Sequence, residues 1–344
     1  MNRVLAGFAA FISLCAISLC AISLCAIAQA QPAAEFYKGK TIRVIVGTSP
    51  GDYDAWVRLV VRYLPQYIPG QPSFIVENMP GAGSLIAANH LYNRAPRDGT
   101  VLGSVSRNIP HYAFAKKANA NFDPLKFGWI GSPEVNNRGC FARTDSGVGS
   151  PRDLFERELL MGTDGAGTSL SEMPVLLKNL LGMRFRTVDG YKGSNDVVLA
   201  IQRGEVQGIC QTLSAFAQSA QHMLDNGTVR LLFTTERDRV PGSKAPTIFE
   251  FTTDDEQRAI LDFQASALET GRPWLTPPDV PAERVAVLRR AFDAAMQDRA
   301  LRDDAKKRGF EINPRTGEQI EAVLRKAAAF PPELLAKLAA LTKR

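Results

Sequence analysis

Cysteine and histidine are scarce in this chain. Of 344 residues, five are cysteine and three are histidine, and three of the cysteines fall within the first thirty positions. Two remaining cysteines cannot form a disulfide framework, and no pair of His or Cys has metal-ligand spacing, so we predict neither a metal nor a cofactor. Cys140 and Cys210 both stand in apolar, strand-like stretches. This setting favours buried free thiols over one disulfide.

A strong excess of charge of either sign is also missing. Lys and Arg number 41 and Asp and Glu number 35, which gives a net charge of +6. The basic residues are scattered, and no stripe of basic and aromatic residues runs along the chain. We therefore predict no nucleic-acid partner, and the small surplus favours an anionic ligand.

Only the N-terminus carries a long apolar run. Met1–Arg3 begins with a positive charge, apolar residues follow over 4–28, and an Ala-Gln-Ala sequence at 28–30 is typical of a cleavage site. We predict that residues 1–30 are a secretory signal and that the mature chain is exported to the periplasm. A retained membrane anchor is the alternative, because the run approaches the length of a span.

Strand-like and helix-like segments alternate over most of the chain. The first half predicts strands at 41–46, 73–76 and 101–104 with helices at 54–67 and 85–91, a pattern typical of a parallel sheet. A second unit predicts strands at 159–162, 206–210 and 229–233, with a helix that begins at Pro151 and further helices at 169–181 and 194–204. Ligand loops are expected at the carboxyl ends of such strands.

The C-terminal segment is mostly helical. A helix is predicted from Pro281 to Gly309, and Thr316 with Gln319 forms the pattern of a capping box. Because amphipathic tail helices usually pack on an existing domain, we place this segment on the first lobe. The predicted domains are 31–135 with 250–344 as lobe 1, and 136–249 as lobe 2.

Two short sequences resemble each other and carry the prediction of an anion site. Gly81-Ala82-Gly83-Ser84 and Gly165-Ala166-Gly167-Thr168 each follow a strand-like run and begin a helix-like one. Glycine allows close backbone approach, a hydroxyl can cap the helix, and first-turn N–H groups attract anions. Two such cradles predict two lobes that grip one acidic molecule. The alternative for each is an ordinary helix start with glycines needed for packing.

One motif points to a different class of protein. The residues at 47–51 fit the G-x-S-x-G pattern of serine hydrolases, with Ser49 as nucleophile. The oxyanion hole of that motif uses the N–H of the next residue, and Pro50 has none. A periplasmic serine hydrolase is therefore the weaker hypothesis, and we predict no catalytic residue.

Three charged residues near the predicted loops are candidates for ligand contacts. Asp54 fits the first turn of a helix, whereas Asp52 could meet an amino group of a ligand. Arg107 follows the third strand and could pair with a carboxylate, or equally be a solvated surface residue.

Five sequence elements together resemble the Bug-type receptors of tripartite tricarboxylate transporters. They are the segments 78–84 (ENxPGAGS-like), 95–100, 122–125, 190–193 (containing Tyr-Lys-Gly) and 204–206. The resemblance implies an α/β fold, a two-lobed periplasmic binding protein (type II-like) in which each lobe is a mostly parallel sheet flanked by helices. It also implies a monomeric, non-enzymatic receptor that delivers a small carboxylate to membrane permease subunits. A sensor subunit for a signalling partner would use the same pocket.

The same resemblance implies five ligand loops, which hold carboxylates largely through backbone N–H groups and waters. The first loop is shorter and more acidic here than in relatives, which disfavours a citrate-like ligand and leaves an amino acid or aromatic acid open. The implied ligand-binding residues are Ser49, Gly51, Asp52, Tyr53, Asp54, Gly81, Ala82, Gly83, Ser84, Ser106, Arg107, Asn108, Asp164, Gly165, Ala166, Gly167, Thr168, Ser169, Tyr191, Gly193 and Asn195.

Overall fold

The computed structural model describes residues 33–115, 119–135, 137–165 and 168–343. The predicted secretory signal at 1–30 lies outside these ranges. Among the described residues, no helix combines the length and the apolar character needed to cross a membrane.

A six-stranded mixed sheet forms the first lobe. Its strands are β1 (Thr41–Val46), β2 (Ser73–Asn78), β3 (Val101–Ser104), β4 (Gly128–Ser132), β10 (Trp274–Thr276) and β11 (Arg315–Thr316). The order is β11-β4-β10-β3-β1-β2. β1 pairs in parallel with β2 and β3, and β10 is antiparallel to both β3 and β4. Two strands from the C-terminal segment therefore complete the sheet that the first half begins.

A five-stranded sheet forms the second lobe. Its strands are β5 (Arg138–Arg143), β6 (Leu159–Gly162), β7 (Phe185–Val188), β8 (Gly208–Thr212) and β9 (Val229–Thr234). The order is β7-β6-β8-β5-β9, in which β6 is parallel to β7 and β8 and only β5 runs antiparallel to its neighbours.

Helices cover both sheets. They are α1 (Ala33–Phe36), α2 (Asp52–Val60), α3 (Leu85–Asn93), α4 (Ile109–Phe114), α5 (Ser169–Leu181), α6 (Ser194–Arg203), α7 (Leu213–Asp225), α8 (Asp255–Glu269), α9 (Ala282–Gln297), α10 (Arg299–Lys307), α11 (Gly317–Ala328) and α12 (Pro332–Leu341). Short 3₁₀ turns lie at Leu64–Tyr67, Ala82–Ser84, Pro124–Lys126, Pro151–Phe155 and Ile248–Phe251.

In both sheets, the edge at which the parallel strands end lies next to the segment 133–137 that joins the two lobes. The chain leaves the end of β4 and enters β5, whose first residue Arg138 pairs with Thr212 at the end of β8. Gly139 likewise pairs with Thr234 at the end of β9. The connection at 133–137 thus joins the edges where parallel strands end, and ligand loops collect at such edges.

The C-terminal helices are divided between the cores of the two lobes. Phe292 of α9 and Leu301 of α10 are buried with the β1 residues of the first sheet. Ile260 and Phe263 of α8 are instead buried with residues of the second sheet, together with Leu338 of α12. The predicted lobe boundaries at 135/136 and 249/250 stay a prediction.

Most predicted strands are confirmed, and three predicted helices differ. The strands at 41–46, 101–104 and 159–162 have the predicted bounds. The predicted helix at 54–67 ends at Val60, and a 3₁₀ turn that contains Pro65 follows it. The predicted helix from Pro281 to Gly309 breaks at Asp298, which accepts hydrogen bonds from the first turn of α10. The helix predicted to begin at Pro151 is only a 3₁₀ turn, Pro151–Phe155.

The prediction of free thiols is wrong, because Cys140 and Cys210 form a disulfide. They stand directly opposite each other in the antiparallel β5–β8 pair, with Cα atoms 4.0 Å apart. The pairing register that brings them together is a tertiary property, and the apolar surroundings that suggested buried thiols also surround the disulfide.

Candidate functional site

Three predicted loop segments meet at the carboxyl edge of the first sheet. Ser84 is the link: its Oγ donates to the carbonyl of Gly47 at 2.9 Å and accepts from the N–H of Ser106 at 3.1 Å. Gly47 also donates its N–H to Ser104 at 2.8 Å. The loops after β1, β2 and β3 are therefore held together by one buried hydroxyl.

The predicted capping role of this hydroxyl is wrong. Ser84 stands at the N-cap position of α3 but makes no side-chain cap. Its backbone has a φ of 77°, in the left-handed region, and Ala82 has a φ of 48°. Such conformations cost a non-glycine residue about 1–3 kcal/mol each. The Leu85 N–H donates to Ala82, so one predicted anion donor is already satisfied internally.

Gly81 and Gly83 share this left-handed path, with φ values of 140° and 64°. A Cβ at Gly81 would lie 2.3 Å from a side-chain carbon of Ile86. The glycines of the first cradle thus serve a tight turn, which is the packing alternative. Their role in binding a ligand stays a prediction.

The carboxylate of Asp54, beside the first loop, already has hydrogen-bond partners within the protein. Its buried carboxylate accepts from Arg58 Nε at 2.8 Å and from Asn78 Nδ2 at 2.9 Å, and Asn78 Nδ2 also donates to the Thr48 carbonyl at 3.0 Å. Although burial raises it, these hydrogen bonds bring the pKa of Asp54 below its ordinary value. Asp54 therefore anchors the loop to β2. Ser49 and Gly51 are exposed beside it, and the side chain of Asp52 is outside the described atoms.

The second cradle begins α5 in the second lobe. Thr168 Oγ1 lies 2.7 Å from the Gly165 carbonyl and also contacts the Asp164 carboxylate, and it makes no side-chain cap to α5. The predicted cap is thus wrong here too. Ala166, Gly167 and the side chain of Ser169 lie outside the described part of the chain. The Ser171 N–H in the first turn of α5 donates to the Thr168 carbonyl at 3.1 Å, so one predicted anion donor is satisfied internally here too.

The last predicted loop begins α6, beside β7. Gly193 is the residue before the helix, Asn195 is exposed in its first turn, and Tyr191 packs partly on the core of the second lobe. The Asp196 carboxylate accepts from the Lys192 N–H at 3.2 Å.

The third loop brings Arg107 and Asn108 toward the second lobe. Tyr53 hydroxyl accepts from the Arg107 N–H at 3.3 Å, and Thr270 Oγ1 lies 3.4 Å from the Arg107 carbonyl. Burial raises the pKa of Tyr112 in α4, the charge of Glu172 in α5 raises it further, and the Asn108 side chain opposes the rise. Elements of both lobes therefore meet around Arg107 and Tyr112.

Sequence reasoning missed four residues of this region, namely Tyr112, Arg138, Glu172 and Glu236. Arg138 is buried, and burial together with the positive charge of Arg107 lowers its pKa to about 10. No sequence signal marks Arg138, because it is the first residue of a strand and belongs to no motif. Its proximity to Arg107 depends on how the lobes face each other.

Several buried side-chain atoms without a hydrogen-bond partner lie where strands end. Among the described residues they include Thr48 Oγ1, Ser104 Oγ, Arg107 Nη1, both amide atoms of Gln211 and Thr234 Oγ1. Buried polar groups normally have partners, so the atoms named here are available to hydrogen-bond a ligand or water. They lie on the carboxyl edges of both sheets, as a site between lobes requires.

A cavity of about 740 Å³ lies along the segments that join the lobes. Val135 and Asn137 line it from the first connection, Glu236 to Pro241 from the second, and Phe263 and Phe330 supply an aromatic wall. No described residue of the five predicted ligand loops lines it. It is therefore separate from the loops at the carboxyl edges.

Glu236 lies in the segment that follows β9 and leads back toward the first lobe, and its buried carboxyl group has a raised pKa. One oxygen accepts from the Arg138 N–H at 2.5 Å and the other is buried without a partner. Burial raises the pKa of Glu236 to about 7, although the N–H groups of Arg138 and Thr235 and the Arg138 charge oppose the rise.

This shift makes a pH prediction. Because the folded pKa exceeds the unfolded one, the folded state holds the proton between about pH 4.5 and 7, and the stabilisation is lost as pH rises through 7. Glu236→Gln should therefore stabilise the protein by about 1–3 kcal/mol at pH 8 and have little effect at pH 5. Urea unfolding of the wild type and of Glu236→Gln at pH 5 and pH 8 measures this difference in stability. The buried His111 contributes equally to the pH dependence of the two proteins, so it cancels in the comparison. An equal effect at pH 5 and pH 8 would contradict the assignment.

The geometry around Ser49 does not fit a hydrolase. His111 Nε2 lies 2.7 Å from Ser266, His222 Nε2 lies 3.2 Å from Gln202, and His90 lies within α3. No hydrogen bond joins any of these described imidazoles to the exposed Ser49. The hydrolase hypothesis therefore lacks its general base.

Two α/β lobes, joined by crossing segments and facing each other with polar carboxyl edges, define a two-lobed solute-binding protein. Residues 62–329 match the family described as "Tripartite tricarboxylate transporter family receptor" (TctC). The chain belongs to this family, as the resemblance predicted. It is also similar to the "UPF0065 protein in gbd 5'region" of Cupriavidus necator, with 27% identity over 293 residues that cover 83% of each chain.

Solved structures share the fold at low sequence identity. A TctC solute-binding protein from Polaromonas has a TM-score of 0.67 at 18% identity, covering 88% of this chain and 99% of that one. A Rhodopseudomonas palustris protein with adipate has a TM-score of 0.61 at 21% identity, covering 88% and 97%. MatC from the same organism, with bound malate, has a TM-score of 0.58 at 19% identity, covering 88% and 99%. The predicted two-lobed α/β fold is confirmed.

Proposed function

We propose that this protein is an extracytoplasmic solute receptor, which binds a small carboxylate between its lobes and delivers it to the membrane subunits of a tripartite transporter. Family membership supports this role, and relatives of the same fold hold malate and adipate. The observation that carries the proposal is the group of buried polar atoms without a hydrogen-bond partner at the carboxyl edges of both sheets, Arg107 Nη1 among them, because guanidinium groups bind carboxylates directly. Ligand binding would favour the closed arrangement of the lobes.

Further parts of the proposal concern location and chemistry. The chain is proposed to be exported with cleavage near Ala30, to act in the periplasm as a monomer, and to catalyse no reaction. The lobes are proposed to divide at 135/136 and 249/250. The ligand is proposed to contact the loops at 47–54, 80–84, 104–108, 162–169 and 191–195, of which Ser49, Gly51 and Asn195 are exposed.

A thermal-shift screen tests the receptor role. The mature protein is heated with mono-, di- and tricarboxylates, amino acids, aromatic acids and neutral or cationic analogues. A carboxylate at about 100 times its Kd should stabilise the folded state by about 2.7 kcal/mol and raise Tm by roughly 5 °C. Shifts with neutral or cationic compounds alone would contradict the proposal. Ester turnover by the wild type that disappears in Ser49→Ala would favour a hydrolase.

A further inference from the structure

One helix from each lobe is attached to the segment 133–137. In the second lobe, α7 begins at the carboxyl end of β8, and its Leu213 N–H donates to the Asn137 carbonyl at 2.8 Å. In the first lobe, the chain that leaves α10 reaches Asn313, whose carbonyl accepts from the Val135 N–H at 2.9 Å, just beyond the carboxyl end of β4. Both attachments lie at the sheet edges that carry the predicted ligand loops, so opening the cleft between these edges separates the two helices.

A hydrogen bond joins the two helices. Gln218 Nε2 of α7 donates to the carbonyl of Gly309, which follows the end of α10, at 2.6 Å. The side chain also packs on the glycine, because a Cβ at Gly309 would lie 3.4 Å from Gln218 Cγ. The φ of Gly309 is +73°, in the left-handed region in which glycine commonly ends a helix. This contact connects the second lobe directly with the first.

The acceptor of this hydrogen bond is held firmly in the first lobe. Phe310, the residue after Gly309, stacks on Trp56 of α2 with ring centroids 4.5 Å apart and an interplanar angle of 18°. The Phe310 N–H donates to the Ala305 carbonyl at 2.9 Å, which closes the end of α10. Since α2 begins within the predicted ligand loop at 47–54, the position of the Gly309 carbonyl is tied to that loop.

The donor is held in the second lobe. Thr212 caps α7, because its Oγ1 accepts from the Ala215 N–H at 3.3 Å. Phe216 of α7 is buried and stacks on Phe141 of β5, with ring centroids 3.9 Å apart. Gln218 lies six residues after Thr212, which is about 9 Å along the helix axis. A rotation of the second lobe about the segment that joins the lobes therefore displaces the Gln218 amide relative to the first lobe.

Resting on the proposed function, we propose that Gln218 is a positioning residue for ligand binding, and that its hydrogen bond to Gly309 stabilises the closed arrangement of the lobes. Gln218 does not need to touch the ligand, because any contact that favours the binding-competent arrangement raises the apparent affinity. A neutral hydrogen bond changes such an equilibrium about two- to tenfold. The contact therefore sets how tightly the receptor holds its ligands and leaves the choice among carboxylates unchanged.

Isothermal titration and stopped-flow binding test this role with carboxylates found by the thermal-shift screen. Gln218→Leu removes the donor and keeps a side chain of similar bulk. Gln221→Leu is the matched control, because Gln221 is exposed on the same helix and its Nε2 donates to Asp225 at 2.8 Å within α7. In Gln218→Leu, Kd should rise about two- to tenfold, by the same factor for every carboxylate, through faster dissociation at an unchanged association rate. In Gln221→Leu, Kd should equal the wild-type value.

The outcomes separate the role of Gln218 from the receptor role. A Gln218→Leu variant that is folded by circular dichroism and has the same Kd as Gln221→Leu overturns the positioning role, while the receptor role stands. A Kd that rises for one carboxylate and not for another also overturns it, because Gln218 would then contact the ligand itself. If the wild type binds no carboxylate in the screen, the proposed function fails and the role of Gln218 in binding fails with it.

Discussion

Replacing Glu134 by alanine should lower the free energy of unfolding by about 3–5 kcal/mol. Glu134 forms an ion pair with Arg272, and only 6% of each side chain is exposed. Removing the carboxylate leaves the guanidinium buried without its counter-charge. The loss arises less from the attraction itself than from this uncompensated charge.

Chemical denaturation of Glu134→Ala and wild type measures the effect, with two companion variants. Glu134→Leu with Arg272→Met removes both charges and should recover most of the stability, because well-packed apolar pairs often replace buried ion pairs without loss. Glu158→Ala breaks the exposed pair with Arg186, whose side chains are 55% and 64% exposed, and should cost less than about 1 kcal/mol. A Glu134→Ala loss below 1 kcal/mol would show that the buried pair does not hold this connection.

The Glu134–Arg272 ion pair also supports the candidate site indirectly, through the aromatic side chains that pack on Arg272. The Arg272 guanidinium lies 5.5 Å from the ring centroids of both Tyr53 and Trp56. Tyr53 in turn accepts the N–H of Arg107, so the pair fixes the loop that presents Arg107. Ligand affinity in Glu134→Ala should therefore fall even though Glu134 does not contact the ligand loops.

The segment 133–137, which joins the two lobes, is tightly packed against Gly271. Its φ is +63°, and a Cβ at this position would lie 1.9 Å from the carbonyl oxygen of Glu134. Ser132 Oγ links the same residues, because it donates to the Glu134 carbonyl at 2.7 Å and accepts from the Arg272 N–H at 2.8 Å. Any larger residue at Gly271 would push the connection away from β10.

The sequence predicted best those features that depend on neighbours along the chain. The strands at 41–46 and 159–162 follow from short β-branched or apolar runs bounded by turn residues, which act locally. The rule that parallel strands end at one edge then predicted which loops would gather. That rule places Arg107 correctly at the end of β3.

The roles of single side chains could not be predicted in the same way. Ser84 looked like a helix cap, yet its hydroxyl joins the loops after β1 and β3, which only the folded sheet brings within reach. Asp54 was predicted to lie in the first turn of a helix, as it does, but its hydrogen bonds to Arg58 and Asn78 could not be foreseen from its position in the sequence. Arg138 belongs to no motif, and the residue that acts on its pKa, Arg107, lies in the opposite lobe. These features depend on contacts between residues far apart in sequence.

The disulfide between Cys140 and Cys210 is another such contact, and its removal should have a large effect. It closes a loop across 70 positions of sequence, and the entropy that it removes from the unfolded chain corresponds to about 4 kcal/mol. Reduction, or the Cys140→Ala and Cys210→Ala double variant, should therefore cost about 2–5 kcal/mol.

Urea unfolding with and without dithiothreitol measures this loss, and the reductant should leave the double variant unchanged. Ligand affinity should weaken together with stability, because Cys140 lies two residues from Arg138 on β5 and the bond ties that end of β5 to β8. The start of β5, where the second lobe joins the first, would then be held less firmly. If reduction confirmed by thiol titration left both the unfolding midpoint and Kd unchanged, strand pairing alone would suffice to position Arg138, and the disulfide would contribute to neither folding nor binding.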